Sequence, residues 1–147
     1  MIRLRSIKKA ITALLKKNCP DYAVHFDHVE KRDAPYFYVE MQPITHTFDD
    51  IYSERTIQID ITFVPDEDEY GRVDRAVLYD IADTVDVLIR PVFYVEDRAI
   101  TVLDAETTIH DDVLHYIFNL EFADYREAAR LTDELMEELQ VTITKGR

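Results

Sequence analysis

The chain has 147 residues, 47% of them hydrophobic, and a formal net charge of −13. This length predicts one domain with a sizeable core, and two glycines argue against long low-complexity segments. One cysteine excludes an intrachain disulfide framework, and no apolar run reaches the roughly 18 residues of a membrane span. The basic N-terminus lacks the apolar segment of a signal peptide, so we expect a protein made in a reducing cytoplasm.

The charge is unevenly distributed along the chain. Residues 1–17 carry six basic side chains and no acidic one, whereas the other 130 residues carry 11 basic and 30 acidic side chains. Because an acidic surface repels phosphates, we do not expect sequence-specific binding of DNA or RNA. A basic helix on an acidic body instead suits head-to-tail contact between copies, and a merely solvated charged face is the alternative.

The first half of the chain predicts one helix followed by three strands. Residues 3–17 form the helix, because their apolar side chains fall within about 100° on a helical wheel. Residues 22–26 and 36–41 are strand candidates, and residues 43–54, which lack a clear period, predict an exposed loop. Arg55–Pro65 alternates strictly, so we expect it to be the centre of the sheet. Its apolar face comprises Ile57, Ile59, Ile61 and Phe63.

The second half predicts a helix and a hairpin. An acidic connector, residues 66–72, leads into a helix over about 73–90, with Asp74 as its N-terminal cap and Asp86 facing away from the core. A short strand is expected at 92–95. A longer one at 99–109, broken or bulged near Asp104-Ala105, should pair with Val113–Ala123 through the turn chemistry of residues 110–112.

The chain end predicts a third helix over residues 125–139 and a short β-like segment. We therefore divide the chain into a single α+β domain, residues 1–123, and a helix or tail extension of that domain, residues 124–147. Because strands are neighbours in sequence and one helix interrupts them, the fold is expected to be α+β. It would be a mostly antiparallel sheet with the two main helices packed on one face.

Three clusters resemble metal sites, and each has a simpler interpretation. His25 and His28, with Glu30 nearby, would point to opposite faces of a strand. His110, Asp112 and His115 fit a polar hairpin tip. Residues 66–71 imitate the start of a calcium loop, but Tyr70 and Val77 occupy positions that need oxygen ligands. A capping acidic loop is the alternative there, and no cofactor is expected.

Catalysis finds little support in the sequence. Ser6 and Ser53 do not lie in a nucleophile elbow, and the glycines do not form a phosphate-binding loop. Cys19, at a helix end before a proline, is either a mildly reactive thiol or a buried one. We therefore do not expect an enzyme.

The ordered motifs resemble a family of bacteriophage tail terminator proteins of long-tailed phages and prophages of Gram-positive bacteria. The matching segments are I-x-x-A-I-x-x-L-L-K followed by N-C-P-D-Y, then P-Y-F-Y-V-E-M, Y-S-E-R-T-I-Q-I-D-I-T-F-V-P and D-D-V-L-H-Y-I-F-N-L-E-F. They cover most of residues 4–123. One departure is Asp112, where the family often has glycine in the hairpin turn.

The resemblance implies a structural function. Such proteins assemble as a ring, commonly a hexamer, on the head-proximal end of the tail tube, within the virion and after assembly in the host cytoplasm. The ring stops tube growth and offers a surface to a head-neck connector protein. DNA passes through its lumen, and an acidic lumen would let DNA slide without binding. Neither a cofactor nor a membrane is implied.

Contacts with other subunits or with the tube are expected in three places. The first is the basic helix, and the others are the two polar loops that flank the central strand, since loops carry contacts more often than strands. The candidate residues are Arg5, Lys8, Lys9, Lys16, Phe48, Asp49, Asp50, Tyr52, Asp66, Glu67, Asp68 and Glu69. A solvated loop without a partner is the alternative for either loop.

Two rival functions remain open at this point. The first is another tail or neck component, such as a head–tail joining protein. The second is a small cytoplasmic ligand-binding or enzymatic α+β domain, which predicts a deep pocket with converging polar groups.

Overall fold

The computed structural model describes residues 1–26 and 34–125. The elements in chain order are α1 (Leu4–Asn18), β1 (Ala23–Phe26), β2 (Tyr36–Thr47), β3 (Tyr52–Val64), α2 (Arg75–Ile89), β4 (Val92–Val95), β5 (Arg98–Thr101), β6 (Ala105–His110) and β7 (Val113–Tyr125). The predicted α+β fold with a mostly antiparallel sheet is confirmed. The predicted third helix and β-like end lie outside the described residues, except that Tyr125 is the last residue of β7.

The main sheet has the strand order β1-β2-β3-β7-β6, so β3 is its centre, as predicted. β2 and β7 each pair with β3 in antiparallel register over nearly its whole length, while β1 joins β2 in parallel. The strand begins at Tyr52, three residues before the predicted start.

The core lies between the helices and one face of the sheet, which we call the inner face. The four predicted apolar side chains of β3 are at most 1% exposed. The register places Phe37, Val39, Leu114, Tyr116, Phe118 and Leu120 on the same face. Ile7, Ile11 and Leu15 of α1 and Leu78, Val85 and Ile89 of α2 pack onto it. The other face, which we call the open face, is partly exposed.

The end of α1 and the start of α2 lie where the sequence indicates. Cys19 N–H donates to Leu15 O at 2.7 Å, and Pro20 follows, which disfavours helical geometry at Cys19. The carboxylate of Asp74 accepts the N–H of Ala76 at 3.0 Å, which confirms Asp74 as the cap of α2. Neither of the described helices is long and apolar enough to span a membrane.

Two expectations about the second half need correction. The break in the 99–109 segment is confirmed, but its first part, β5, pairs with β4 in a separate two-stranded sheet, and only β6 pairs with β7. Val102 N–H donates to Pro91 O at 2.8 Å, which holds the chain beside β4. Asp86 does not simply face away, because it is partly buried and accepts a hydrogen bond from Tyr116 of β7.

Candidate functional site

The end of the central hairpin forms a β-structured arm, which we define as residues 42–56. β2 and β3 stay paired as far as Thr47 and Ser53, so the expected exposed loop at 43–54 is wrong. Only residues 48–51 connect the strands. Residues 42–47 are exposed on both faces, and a strand without a buried face needs no alternation of apolar and polar residues. The sequence pattern therefore has no period there.

The turn of the arm is held by one carboxylate. Oδ1 of Asp49 accepts the N–H groups of Ile51 and Tyr52, both at 2.7 Å. The N–H groups of Phe48 and Asp49 in turn donate to Tyr52 O at 3.3 and 3.2 Å. These hydrogen bonds, and not a packed core, hold the backbone of the turn in place. The apolar side chains of the turn can therefore point into solvent.

Four apolar or aromatic side chains gather at the end of the arm, and we call them the tip patch: Phe48, Ile51, Tyr52 and Tyr125. Phe48 is 72% exposed and Ile51 56% exposed. The rings of Tyr52 and Tyr125 lie 4.9 Å apart. The hydrogen bond between these two side chains raises the pKa of Tyr52. Exposed apolar groups that cluster in this way are typical of a contact surface.

The structure therefore brings four of the predicted contact residues together. Phe48 and Tyr52 belong to the tip patch, and Asp49 and Asp50 lie in the same turn. Tyr125 is the member that the sequence did not indicate. It lies 73 positions beyond Tyr52 in the chain and becomes its neighbour only through the β3–β7 register.

A buried polar cluster ties the base of the arm to the N-terminal segment. Asp124 accepts the N–H of Ile2, and Arg55 donates to Ile2 O. Arg98 adds a second cation, 3.7 Å from Asp124, and donates to Ala123 O at 2.6 Å. Asp124 and Arg55 are only 5% and 8% exposed. The cluster therefore joins the base of the arm to the domain.

The acidic connector lies at the opposite end of β3. Asp66, Glu67, Asp68 and Glu69 are all exposed there. Oδ1 of Asp68 accepts the N–H groups of Tyr70 and Arg72, both at 2.8 Å, and Gly71 adopts a positive φ of 73°. The Asp68 carboxylate therefore stabilises its own turn, and α2 is capped by Asp74 rather than by the acidic residues 66–71.

The two candidate loops lie far apart, at opposite ends of the central strand. β3 has 13 residues between them, which at about 3.3 Å per residue separates the arm turn from the connector by roughly 40 Å. Each end of the domain therefore carries a separate candidate contact surface.

The basic residues of α1 form a stripe on the helix exterior. Arg5, Lys8, Lys9 and Lys16 are all exposed. Nζ of Lys8 lies 5.2 Å from the centroid of the Phe26 ring in β1. Lys8 therefore marks the flank of the stripe that lies nearest the β1 edge of the sheet.

The open face of the sheet is acidic. The register places five carboxylates on it, from four strands: Glu40, Glu54, Asp60, Glu106 and Glu121. Within the described strands of this sheet, no Lys or Arg side chain shares that face.

Within the residues that the structure describes, the candidate cluster of His110, Asp112 and His115 is not assembled. His115 Nδ1 lies 3.1 Å from Asp60 on the open face, whereas Asp112 pairs with Arg75 at 3.2 Å. His25 contacts the ring of Tyr36, and its proposed partners His28 and Glu30 lie outside the described residues. Among residues 1–26 and 34–125, no three His, Cys, Asp or Glu side chains form a group that could hold a metal ion.

The candidate nucleophiles are either hydrogen-bonded or buried. Ser6 donates to Glu96 Oε1 at 2.7 Å, and Ser53 is buried at the base of the arm. Burial, followed by the charge of Asp21, raises the pKa of the Cys19 thiol. A raised pKa keeps sulfur protonated, whereas an activated cysteine needs a lowered one.

Comparison with known proteins adds one match. A family model described as phage tail terminator protein matches residues 6–144, which is nearly the whole chain. A search of curated proteins found no match. The resemblance that the sequence motifs indicated is thereby confirmed.

Proposed function

This chain belongs to the phage tail terminator protein family, and on that premise we propose that it closes the head-proximal end of a tail tube as a ring of identical subunits. The family is structural rather than enzymatic, so the chain is a component of the virion tail that associates with other tail and head components. In the proposed ring, commonly six subunits cover the last tube subunits, so no further tube subunit can add.

The separation of the two contact ends is the observation that best supports this role. A terminator needs one surface for the tube and another for the head side, and β3 separates the arm from the connector by roughly 40 Å. We assign the tip patch to the tube, because its apolar side chains gain most from burial in a tight protein contact. The acidic loop at residues 66–72, which carries Asp66 to Glu69, would then face the partner protein at the neck of the head.

The open face suits the wall of the lumen. Its five carboxylates repel phosphates, so DNA would pass along it without binding. The helices would then lie on the outside and the sides of the ring, where subunits meet. A ring structure with Lys or Arg side chains lining its lumen would contradict this part of the proposal.

Electron microscopy of a phage that lacks this gene tests the function. Loss of a terminator leaves the tube end open, so we expect overlong tails, and expression of the intact chain should restore one tail length. Tails of normal length beside unjoined heads would instead identify a neck component. Unaltered virions would contradict any role in tail completion.

The ring itself is tested in solution. Light scattering of the purified full chain should give a mass near six times 17.3 kDa. Neutralising Arg5, Lys8, Lys9 and Lys16 together should shift this mass toward the monomer. An unchanged ring mass would show that the basic stripe takes no part in assembly.

A further inference from the structure

We infer that the basic stripe of α1 in one copy binds the outer face of α2 in the next copy. The outer face of α2 is defined by four exposed residues: Tyr79, Asp80, Asp83 and Val87. This inference rests on the proposed ring and names the two surfaces that form its subunit interface.

The stripe of α1 points away from its own subunit. One flank of the helix faces the β4–β5 turn, where Ser6 donates to Glu96 at 2.7 Å. The opposite flank carries Lys8, which lies over Phe26 at the β1 edge. None of the stripe's cations forms an ion pair with a carboxylate of the described residues. The charge of the stripe is therefore available to a neighbouring molecule.

The outer face of α2 has the complementary character. Asp86 is already bound by Arg90, at 2.6 and 2.7 Å, and Asp74 caps the helix. Asp80 and Asp83 are exposed, and in the described part of the chain no cation lies within ion-pair distance of either. They are three residues apart, so they lie on the same side of the helix.

Two exposed apolar side chains accompany these acids. Tyr79 is 55% exposed and Val87 78% exposed, at positions that place them beside Asp83 on a helical wheel. Lysine stems cover apolar surface while the ammonium group stays near water. A lysine stripe on Tyr79 and Val87 would therefore bury apolar area and pair charges at the same time.

The positions of the two surfaces suit a closed ring. α1 contacts β1, at one edge of the strand order, while α2 lies over β7 near the other edge. An ion pair of 3.2 Å between Arg75 and Asp112 ties α2 to the β6–β7 turn. A cyclic ring needs two different patches on opposite sides of each subunit, one for each neighbour. The two helix surfaces satisfy that requirement.

The open face is the competing acceptor, since it is also acidic. It lies on the side of the sheet away from both helices. If the basic stripe of one copy bound the open face of the next, the subunits would stack face to face rather than side by side. The acidic surface of α2 is the one carried by an element near a lateral edge of the sheet, because α2 lies over β7 and is tied to the β6–β7 turn.

Charge reversal tests the interface, with ring mass measured over a range of protein concentrations. Lys9→Glu with Lys16→Glu, and separately Asp80→Lys with Asp83→Lys, should each raise the concentration for half-assembly at least tenfold. The combined four-residue variant should return to within about threefold of wild type, because the charges are exchanged rather than lost. Lys17→Glu, off the stripe on the same helix, is the matched control and should assemble normally.

The other outcomes separate this inference from the proposed function. Normal assembly of the Asp80→Lys, Asp83→Lys variant, or no rescue in the combined variant, would overturn the inference while the ring stands. Rescue of the α1 variant by Glu106→Lys with Glu121→Lys would assign the stripe to the open face instead. A wild-type chain that stays monomeric at every concentration would contradict the proposed ring itself. Circular dichroism confirms that each variant is folded.

Discussion

The hydroxyl of Tyr116 donates a 2.7 Å hydrogen bond to Oδ1 of Asp86 and so links β7 to α2. Arg90 donates two further bonds to the same carboxylate. The bonds from Arg90 first, and that from Tyr116 in addition, lower the pKa of Asp86 against the opposing effect of burial. Burial and the bond to Asp86 raise the pKa of Tyr116. This network is a polar connection between the sheet and the helix that we assign to the subunit interface.

Tyr116→Phe should lower the free energy of unfolding by about 1.5 kcal/mol, the usual value of a hydrogen bond to a charged group. The aromatic ring at position 116 stays in the core, so the change in the free energy of unfolding reports the loss of the hydroxyl alone. Urea denaturation measures it, with Tyr94→Phe as the control, because Tyr94 is 67% exposed. Equal stability of the two variants would show that the bond contributes nothing net.

The same network predicts an acid dependence. The pKa of Asp86 is lower in the folded chain than its ordinary value of 3.8, so its ionised form stabilises the fold. That contribution is complete above about pH 4 and is lost as the pH falls through the lowered value. Wild type should therefore exceed Asp86→Asn in stability near neutral pH, and the gap should narrow below pH 3.8. A gap that stays constant down to about pH 2 would refute this assignment.

Asp124→Ala should be the most destabilising of the changes considered, at about 3 kcal/mol. It would leave the buried guanidinium of Arg55 without its carboxylate and Ile2 N–H without an acceptor. Asp97→Ala, at an exposed site, is the matched control. Chemical denaturation compares the two, and a loss below about 1 kcal/mol for Asp124→Ala would mean that the cluster relaxes around the gap.

Asp112→Gly should stabilise the chain by about 0.5 kcal/mol. Asp111 and Asp112 form the two-residue β6–β7 turn with positive φ angles of 50° and 59°, and glycine adopts such angles without strain. The substitution also removes the exposed ion pair to Arg75. Measuring it in an Arg75→Ala background isolates the turn. Destabilisation in that background would contradict the strain argument.

The tip patch predicts a phenotype without a stability change. Phe48→Ser with Ile51→Ser should leave the melting temperature unaltered, because both side chains are exposed, and should give overlong tails. Tyr70→Ser is the control, since Tyr70 is 81% exposed at the other end of β3. Tails of regular length in the double variant would remove the arm from the proposed tube contact.

Local sequence patterns were sufficient to predict each helix or strand that buries one of its sides. The alternation in β3 and β7, the apolar side of both helices and the Asp74 cap are written into short segments, because each depends on neighbours within a few residues. The positive φ angles of Asp111 and Asp112 are likewise a local requirement of a two-residue turn. The order of these segments was enough to indicate the family.

Only the tertiary structure showed two kinds of feature: contacts between residues far apart in the chain, and strands that bury neither face. The arm showed no periodic signal, because residues 42–47 bury neither face. The alternation of residues 99–109 did not say that β5 joins β4 while β6 joins β7, since a strand's pattern specifies a face and not a neighbour. The meeting of Tyr52 with Tyr125, and of Tyr116 with Asp86, follows from sheet register and helix packing. The sequence therefore placed the two candidate loops at the ends of the central strand, but the tip patch, which needs Tyr125 beside Tyr52, exists only in the fold.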